Sequence, residues 1–183
     1  MKNVLIFGGT GMLLQATKWL EKEYDNITVF GRDAGKNPWL LDQVENNNFE
    51  FLELDYRNTE HLKKLIQQSF EKYGQFDCVL AWIHGTAPNA LATIIKELEM
   101  NQRQSYRLFH VKGSSSSLSH MKNEVIVPDN CLYREVILGF CLEGDSSRWL
   151  THKEISDGVI NAIKDDDKKS IVGTVTPWER RPS

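Results

Sequence analysis

Apolar runs stopped by turn residues alternate with helix-period segments over the first 111 residues, and this alternation limits the fold more tightly than anything else in the chain. Val4 to Phe7 is an unbroken apolar run ended by Gly8, the pattern of a strand buried on both faces. From Met12 to Tyr24, the residues Leu13, Ala16, Trp19 and Leu20 recur at three- and four-residue spacing, which predicts an amphipathic helix closed by Asp25 and Asn26. Ile27 to Phe30 reads as a second strand and Gly31 to Pro38 as a loop. A short helix through Leu40, Leu41 and Val44 and a third strand over Phe49 to Leu54 follow. Asn58 is a good N-cap for a helix whose inner face carries Leu62, Leu65, Ile66, Ser69, Phe70 and Tyr73. Phe76 to Ile83 predicts a fourth strand, Ala90 to Leu98 another helix, and Tyr106 to Val111 a fifth strand. Such a series buries its apolar surface as parallel strands joined by right-handed crossovers, so the expected fold is a single α/β domain over residues 1–183, a doubly wound parallel sheet in three α/β/α layers.

The remainder is less regular. Lys112 to His120, containing Ser114 to Ser117, reads as a mobile polar loop, Glu124 to Val127 as a short strand before Pro128, and Tyr133 to Leu142 as extended and apolar. Thr151 and Glu154 have capping-box spacing at the head of a helix that turns Ile155, Val159, Ile160 and Ile163 inward. Asp165 to Lys169 reads as a solvated charged turn and Ser170 to Thr176 as a final strand. No internal repeat or linker interrupts the chain.

Twenty-two basic and 25 acidic residues, spread evenly, give a net charge of −3 and no basic field for a phosphate backbone, so nucleic acid is not an expected partner. Cys78, Cys131 and Cys141 are odd in number and lack C-x-x-C spacing, which fits reduced thiols and a cytoplasmic location. No apolar run approaches the roughly 20 residues of a membrane span, and Val4 to Phe7 is too short and too soon broken for a signal peptide.

Gly8, Gly9, Thr10 and Gly11 lie between the first strand and the first helix. Glycine permits a tight turn and close backbone approach, and free N–H groups at the positive end of a helix dipole suit a pyrophosphate. The bland alternative is a strand-to-helix turn with no ligand. After the second strand, where an acidic residue commonly holds the ribose hydroxyl of NAD, stand Gly31 and Arg32. A guanidinium can bind a 2′-phosphate through two charge-assisted hydrogen bonds, so NADP is expected over NAD. Asp33 beside it could instead pair with Arg32 or touch the ribose, and Arg32 could be a solvated loop cation.

The stretch from Val4 to Gly11 resembles the nucleotide-binding start of the short-chain dehydrogenase/reductase family, with Leu14 where a third glycine often stands. Glu53-Leu54-Asp55 is similar to that family's segment after the third strand, Phe76 to Leu80 to its fourth strand, and Gly173 to Val175 with the preceding capped helix to its C-terminal end. The resemblance covers most of the chain and implies a Rossmann-like fold, with the backbone from Thr10 to Met12 on the pyrophosphate and Asp55 on the adenine amino group. It also implies an oxidoreductase that transfers hydride to a small carbonyl or imine.

The resemblance stops at that family's Tyr-x-x-x-Lys pair. The residues four places after Tyr24, Tyr56, Tyr73, Tyr106 and Tyr133 are Thr28, Glu60, Asp77, His110 and Ile137, and the about 40 residues between the fifth strand and the capped helix contain no long amphipathic pattern. His84 after the fourth strand and the serines after the fifth, Ser115 among them, are the candidate acid–base and carbonyl-binding groups, expected side by side at the strand ends. Their bland reading is a groove-lining histidine beside a flexible loop. His110 is expected in the core, His152 at an exposed helix start, and Lys112 as a weak candidate for a ribose contact; Trp149 or Trp178 could serve a homo-oligomer interface. Two classes of function remain open: an NADP-dependent reductase, or a dinucleotide-binding sensor or scaffold without the catalytic segment. A flavodoxin-like phosphate-binding fold fits the alternation but accounts less well for Arg32 and Asp55.

Overall fold

A computed structural model describes residues 1–35, 37–43, 46–117 and 124–183, without the side chains of 116 and 117. In chain order the elements are β1 (Asn3–Phe7), α1 (Leu14–Glu23), β2 (Asn26–Gly31), α2 (Pro38–Asp42), β3 (Phe49–Glu53), α3 (Thr59–Tyr73), β4 (Cys78–Trp82), α4 (Ala90–Asn101), β5 (Tyr106–Gly113), β6 (Cys131–Leu138), β7 (Phe140–Glu143), β8 (Ser146–Trp149), α5 (His152–Asp165) and β9 (Lys169–Val172), with short 3-10 turns at Ser114–Ser117 and Trp178–Arg180. Seven strands make one all-parallel sheet in the order β3-β2-β1-β4-β5-β6-β9, and β7 and β8 form a separate antiparallel hairpin. The expected doubly wound, three-layer α/β/α architecture is the one found.

Strand pleat explains the layers. Alternate residues of a strand point to opposite faces, so Val4 and Ile6 join Leu80, Phe109 and the inner faces of α1 and α5, while Leu5 and Phe7 join Val79, Leu108 and the inner faces of α3 and α4. Every residue of β1 is buried, the apolar run Val4 to Phe7 as the centre of a parallel sheet requires and Asn3 through side-chain bonds to the Tyr73 and Gln75 carbonyls. The chain winds outward from β1 through β2 to β3, then returns to place β4 on the other side of β1. That reversal opens a crevice at the carboxyl ends of β1 and β4, the position where open α/β sheets hold ligands.

Several expectations are corrected. Val44 lies outside the described residues, as do residues 118–120 of the proposed loop. Lys112 and Gly113 extend β5, and Ser114 to Ser117 form a 3-10 turn in which Ser114 is buried. Glu124 to Val127 form no strand; Val125 and Val127 instead pack against the α3/α4 core. The apolar stretch from Tyr133 divides at Gly139 into β6 and β7. The last strand ends at Val172, because Thr174 turns to exchange backbone hydrogen bonds with Phe140. Asp166, read as part of a solvated turn, caps α5 in the left-handed region and pairs with Arg134 at 3.0 Å and Arg107 at 3.7 Å. Trp178 is half-buried, Trp149 and His152 are exposed, and all three cysteines are free. No described helix is long and apolar enough to cross a membrane.

Candidate functional site

The turn from Gly8 to Leu13 shapes the site. Gly8 has φ of 77°, and a Cβ there would stand 2.2 Å from the Trp82 carbonyl oxygen, so β1 can leave the sheet beside β4 only through glycine. Its N–H donates to the Tyr56 hydroxyl at 2.6 Å, and that hydroxyl donates to the Phe30 carbonyl at 2.7 Å. Burial pushes the Tyr56 phenol well above its ordinary range, so it stays protonated and keeps the bridge. Gly9 faces inward: a Cβ would lie 2.5 Å from both Ile6 Cγ2 and Thr17 Oγ1. Its place in the turn is a packing requirement, and it does not line the cavity described below.

The carbonyls from Gly9 to Met12 are engaged. Gly9 accepts from Thr17 Oγ1 at 2.7 Å, Thr10 from Asn37 Nδ2 at 3.4 Å, Gly11 from the Leu14 N–H at 3.0 Å, and Met12 from Ser156 Oγ at 2.9 Å. The N–H groups of Thr10, Gly11 and Met12 have no acceptor among the described residues. No side chain caps α1 and no acidic residue occupies its first turn. Carbonyls turned away, amides free and a helix dipole behind them make an anion-binding corner.

Thr10, Gly11 and Met12 line a cavity of about 440 Å³. Gly31, the last residue of β2, and Arg32 close it on one side, Asp55 and Arg57 beyond β3, and Trp82, the last residue of β4, with His84 and Thr86 beyond it. Arg32 is exposed at the wall it shares with Asp55. Both oxygens of Asp55 accept from Arg57, with Nε at 3.0 and 3.1 Å and Nη2 at 2.6 Å, and the Arg57 guanidinium holds the carboxyl down at about 2. His84 is exposed, and its Nδ1 accepts from the Thr86 N–H at 3.3 Å with Thr86 Oγ1 at 3.2 Å. An accepting Nδ1 leaves Nε2 as the ring nitrogen that can donate.

Gly8, Thr10, Gly11, Met12, Arg32, Asp55 and His84 are thus brought together. Ser115, expected beside His84, is exposed on the 3-10 turn and does not line this cavity, because β5 runs two residues further than the sequence suggests and carries the serines past it. Lys112 pairs with Glu135 at 2.6 Å instead of facing a ribose. His110 is packed on the sheet with Nδ1 2.7 Å from the Tyr133 hydroxyl. Sequence reasoning missed Tyr56, Arg57, Trp82 and Ser156. Tyr56 and Arg57 directly follow Asp55, and adjacency was the only signal they gave; Ser156 is 144 residues from Met12 and gave none. Among the described residues no group of histidine, cysteine and acidic side chains could hold a metal ion.

No family model matches the sequence, and no curated protein matches it. Solved structures do. A short-chain dehydrogenase/reductase described as a glucose/ribitol dehydrogenase, from Brucella melitensis, superposes with a TM-score of 0.70 at 9% identity, covering 94% of each chain. An apo SCOR enzyme from Clostridium thermocellum gives 0.68 at 15% identity, covering 100% of this chain and 95% of the other. An NADH-dependent reductase, A1-R′, complexed with NAD, gives 0.68 at 12% identity over 94% and 95%. The chain therefore has the fold of the short-chain dehydrogenase/reductase structures, as the resemblance of its glycine turn implied.

Proposed function

We propose that the chain binds NADP(H), with NAD(H) weaker, and acts as an oxidoreductase on a small carbonyl or imine. The observation that carries this reading is a single cavity at the sheet's switch point, with three backbone N–H groups that have no acceptor among the described residues on one wall and the Arg32 guanidinium on another. The amides of Thr10, Gly11 and Met12 would hold the pyrophosphate and Arg32 the ribose 2′-phosphate, with Asp55, steadied by Arg57, next to the adenine. These residues fit the dinucleotide, because one end of the cavity offers neutral donors and the other the exposed Arg32 cation. When bound, the nicotinamide supplies a hydride to the substrate carbon. The chain's own part is to orient the substrate and to give the oxygen or nitrogen a proton. His84, which lines the cavity, would give it through Nε2; Ser115 would need to move to take part.

Calorimetric titration tests the cofactor. NADPH should bind about ten-fold more tightly than NADH, and Arg32→Ala should erase most of that gap; equal affinities for the wild type would remove Arg32 from the site, and no binding of either would remove the reading. Hydride chemistry is tested separately by NADPH oxidation against a panel of aldehydes, ketones and imines. His84→Ala should reduce turnover about 100-fold, whereas nucleotide binding with no turnover anywhere in the panel would leave a sensor or scaffold.

A further inference from the structure

Two guanidinium groups, Arg32 after β2 and Arg57 after β3, line the cavity with the Asp55 carboxylate beside them. Four consecutive residues build the turn that presents Arg57. Asp55 Oδ1 accepts from the Arg57 N–H at 3.0 Å, the Asp55 carbonyl accepts from the Asn58 N–H at 2.9 Å, and Asn58 caps α3. Two further bonds tie this turn to the strand that carries Arg32. The Tyr56 hydroxyl donates to the Phe30 carbonyl at 2.7 Å, and the Leu54 N–H donates to the Gly31 carbonyl at 2.8 Å. The backbone beneath both guanidinium groups is therefore cross-linked before any ligand arrives, which lowers the ordering cost of binding between them.

Asp55 takes only one edge of Arg57. Nε donates to its two oxygens at 3.0 and 3.1 Å and Nη2 to Oδ2 at 2.6 Å. A guanidinium carries five N–H donors in a planar fork. Its Nη1 has no acceptor among the described residues, and the Arg57 side chain is 70% exposed. A carboxylate on the Nε side thus orients the group and leaves the Nη1–Nη2 edge for a second oxyanion. The Asp55 carboxyl is lowered first by the hydrogen bonds from Arg57 and more weakly by the Arg32 charge, so both cations act on the same carboxylate. Asp33, the other acid beside Arg32, has Oδ1 on the Gly35 N–H at 2.9 Å. As an exposed ion pair alone, Arg57 and Asp55 add little to the stability of the fold.

We infer that Arg57 is a second cation for the ribose phosphate: the 2′-phosphate of NADP(H) lies between the Arg32 and Arg57 guanidinium groups, and Asp55 is the positioning residue that holds Arg57 there. The inference rests on the reading of the cavity as the NADP(H) site. A phosphate monoester is close to doubly charged at neutral pH, so Arg32 alone would leave much of that charge uncompensated. The hydroxyl that NADH carries at the same carbon gains nothing comparable from a second cation, so the pair sets cofactor preference.

Calorimetry on the whole chain with adenosine fragments tests this apart from the nicotinamide. Adenosine 2′,5′-bisphosphate should bind about ten-fold more tightly than adenosine 5′-monophosphate, and adenosine 3′,5′-bisphosphate should gain much less. Arg57→Ala should cut the gain from the 2′-phosphate by roughly three-fold or more, while affinity for the monophosphate and the thermal midpoint stay close to wild type. If Arg57 merely masked the Asp55 charge, the double variant Asp55→Asn/Arg57→Ala would recover the gain; a lost phosphate ligand is not replaced, so the gain should stay low. An unchanged gain in Arg57→Ala, recovery in the double variant, or an equal gain from the 3′ isomer would each overturn the assignment. Loss of the gain in Arg32→Ala but not in Arg57→Ala would remove Arg57 and leave the NADP(H) reading standing, whereas no binding of the fragments or of NADPH would remove both.

Discussion

Gly8 touches three segments at once: its backbone passes the Trp82 carbonyl, its N–H reaches Tyr56, and through that hydroxyl it is tied to Phe30. Gly8→Ala must place a Cβ within 2.2 Å of a carbonyl oxygen at a φ of 77°, where an L side chain is already strained. The expected loss is about 2–4 kcal/mol of unfolding free energy, read by urea denaturation; a midpoint within error of wild type would mean that β1 leaves the sheet by another path. His110 makes a prediction of the opposite kind, silent at neutral pH. Burial, helped by the Lys112 ammonium, pushes its imidazole down to about 4, with Glu135 acting weakly the other way. Unfolded, the ring titrates near ~6.5, so as pH falls the unfolded chain takes up the proton first. Both states are neutral at pH 7; stability declines below about 6.5, and the loss stops growing below about 4, by which point it totals at most about 3 kcal/mol. His110→Gln should flatten that acid limb between pH 6.5 and 4 while costing little at pH 7, and denaturation curves at several pH values would show an unaltered slope if the ring were solvated.

At the scale of elements, the two helices that meet the site are built in opposite ways. α5 begins with a complete capping box, the Thr151 hydroxyl accepting from the Glu154 N–H at 3.2 Å and the Glu154 carboxylate accepting from the Thr151 N–H at 2.8 Å. Hydrogen bonds from Arg148 hold the Glu154 carboxyl down at about 2, so the box stays charged through neutral and mildly acid conditions. α1 has no side-chain cap, and the amides of Thr10, Gly11 and Met12 just before it have no acceptor among the described residues. A helix end without a cap forgoes about 1 kcal/mol, a cost that a bound anion would offset. Thr151→Ala should therefore destabilise the chain by about 1 kcal/mol without altering nucleotide affinity. The denaturation midpoint and an NADPH titration check the two halves; a large fall in affinity with no loss of stability would contradict the division of labour between α5 and α1.

At the scale of the whole molecule, the sheet order brings distant parts of the chain to one edge. β1 lies between β2 and β4, so the turn after it faces the ends of both, and α5, from the C-terminal part of the chain, packs beside α1. Ser156 is where that packing reaches the site, its hydroxyl holding the Met12 carbonyl away from the cavity. Ser156→Ala frees that carbonyl to rotate and should weaken NADPH binding about three- to ten-fold, with a stability loss near 1 kcal/mol. Unchanged affinity would show that the turn keeps its shape without α5.

Local chemistry was enough to place the first five strands to within a few residues, the helices between them, the Asn58 and Thr151 caps, and the glycine turn, while Asp55 came from the family resemblance. Each depends on near neighbours: a period of two or of 3.6, a cap at a fixed offset, a backbone conformation that glycine alone adopts freely. Tertiary structure alone decided the rest. β6 to β9 could not be delimited because their ends are set by non-local pairing, such as that of Phe140 with Thr174, which no local pattern encodes. Which amides remain free, that Ser115 misses the cavity and that Lys112 goes to Glu135 depend on groups far apart in the chain being brought together, and only the packed sheet fixes those distances.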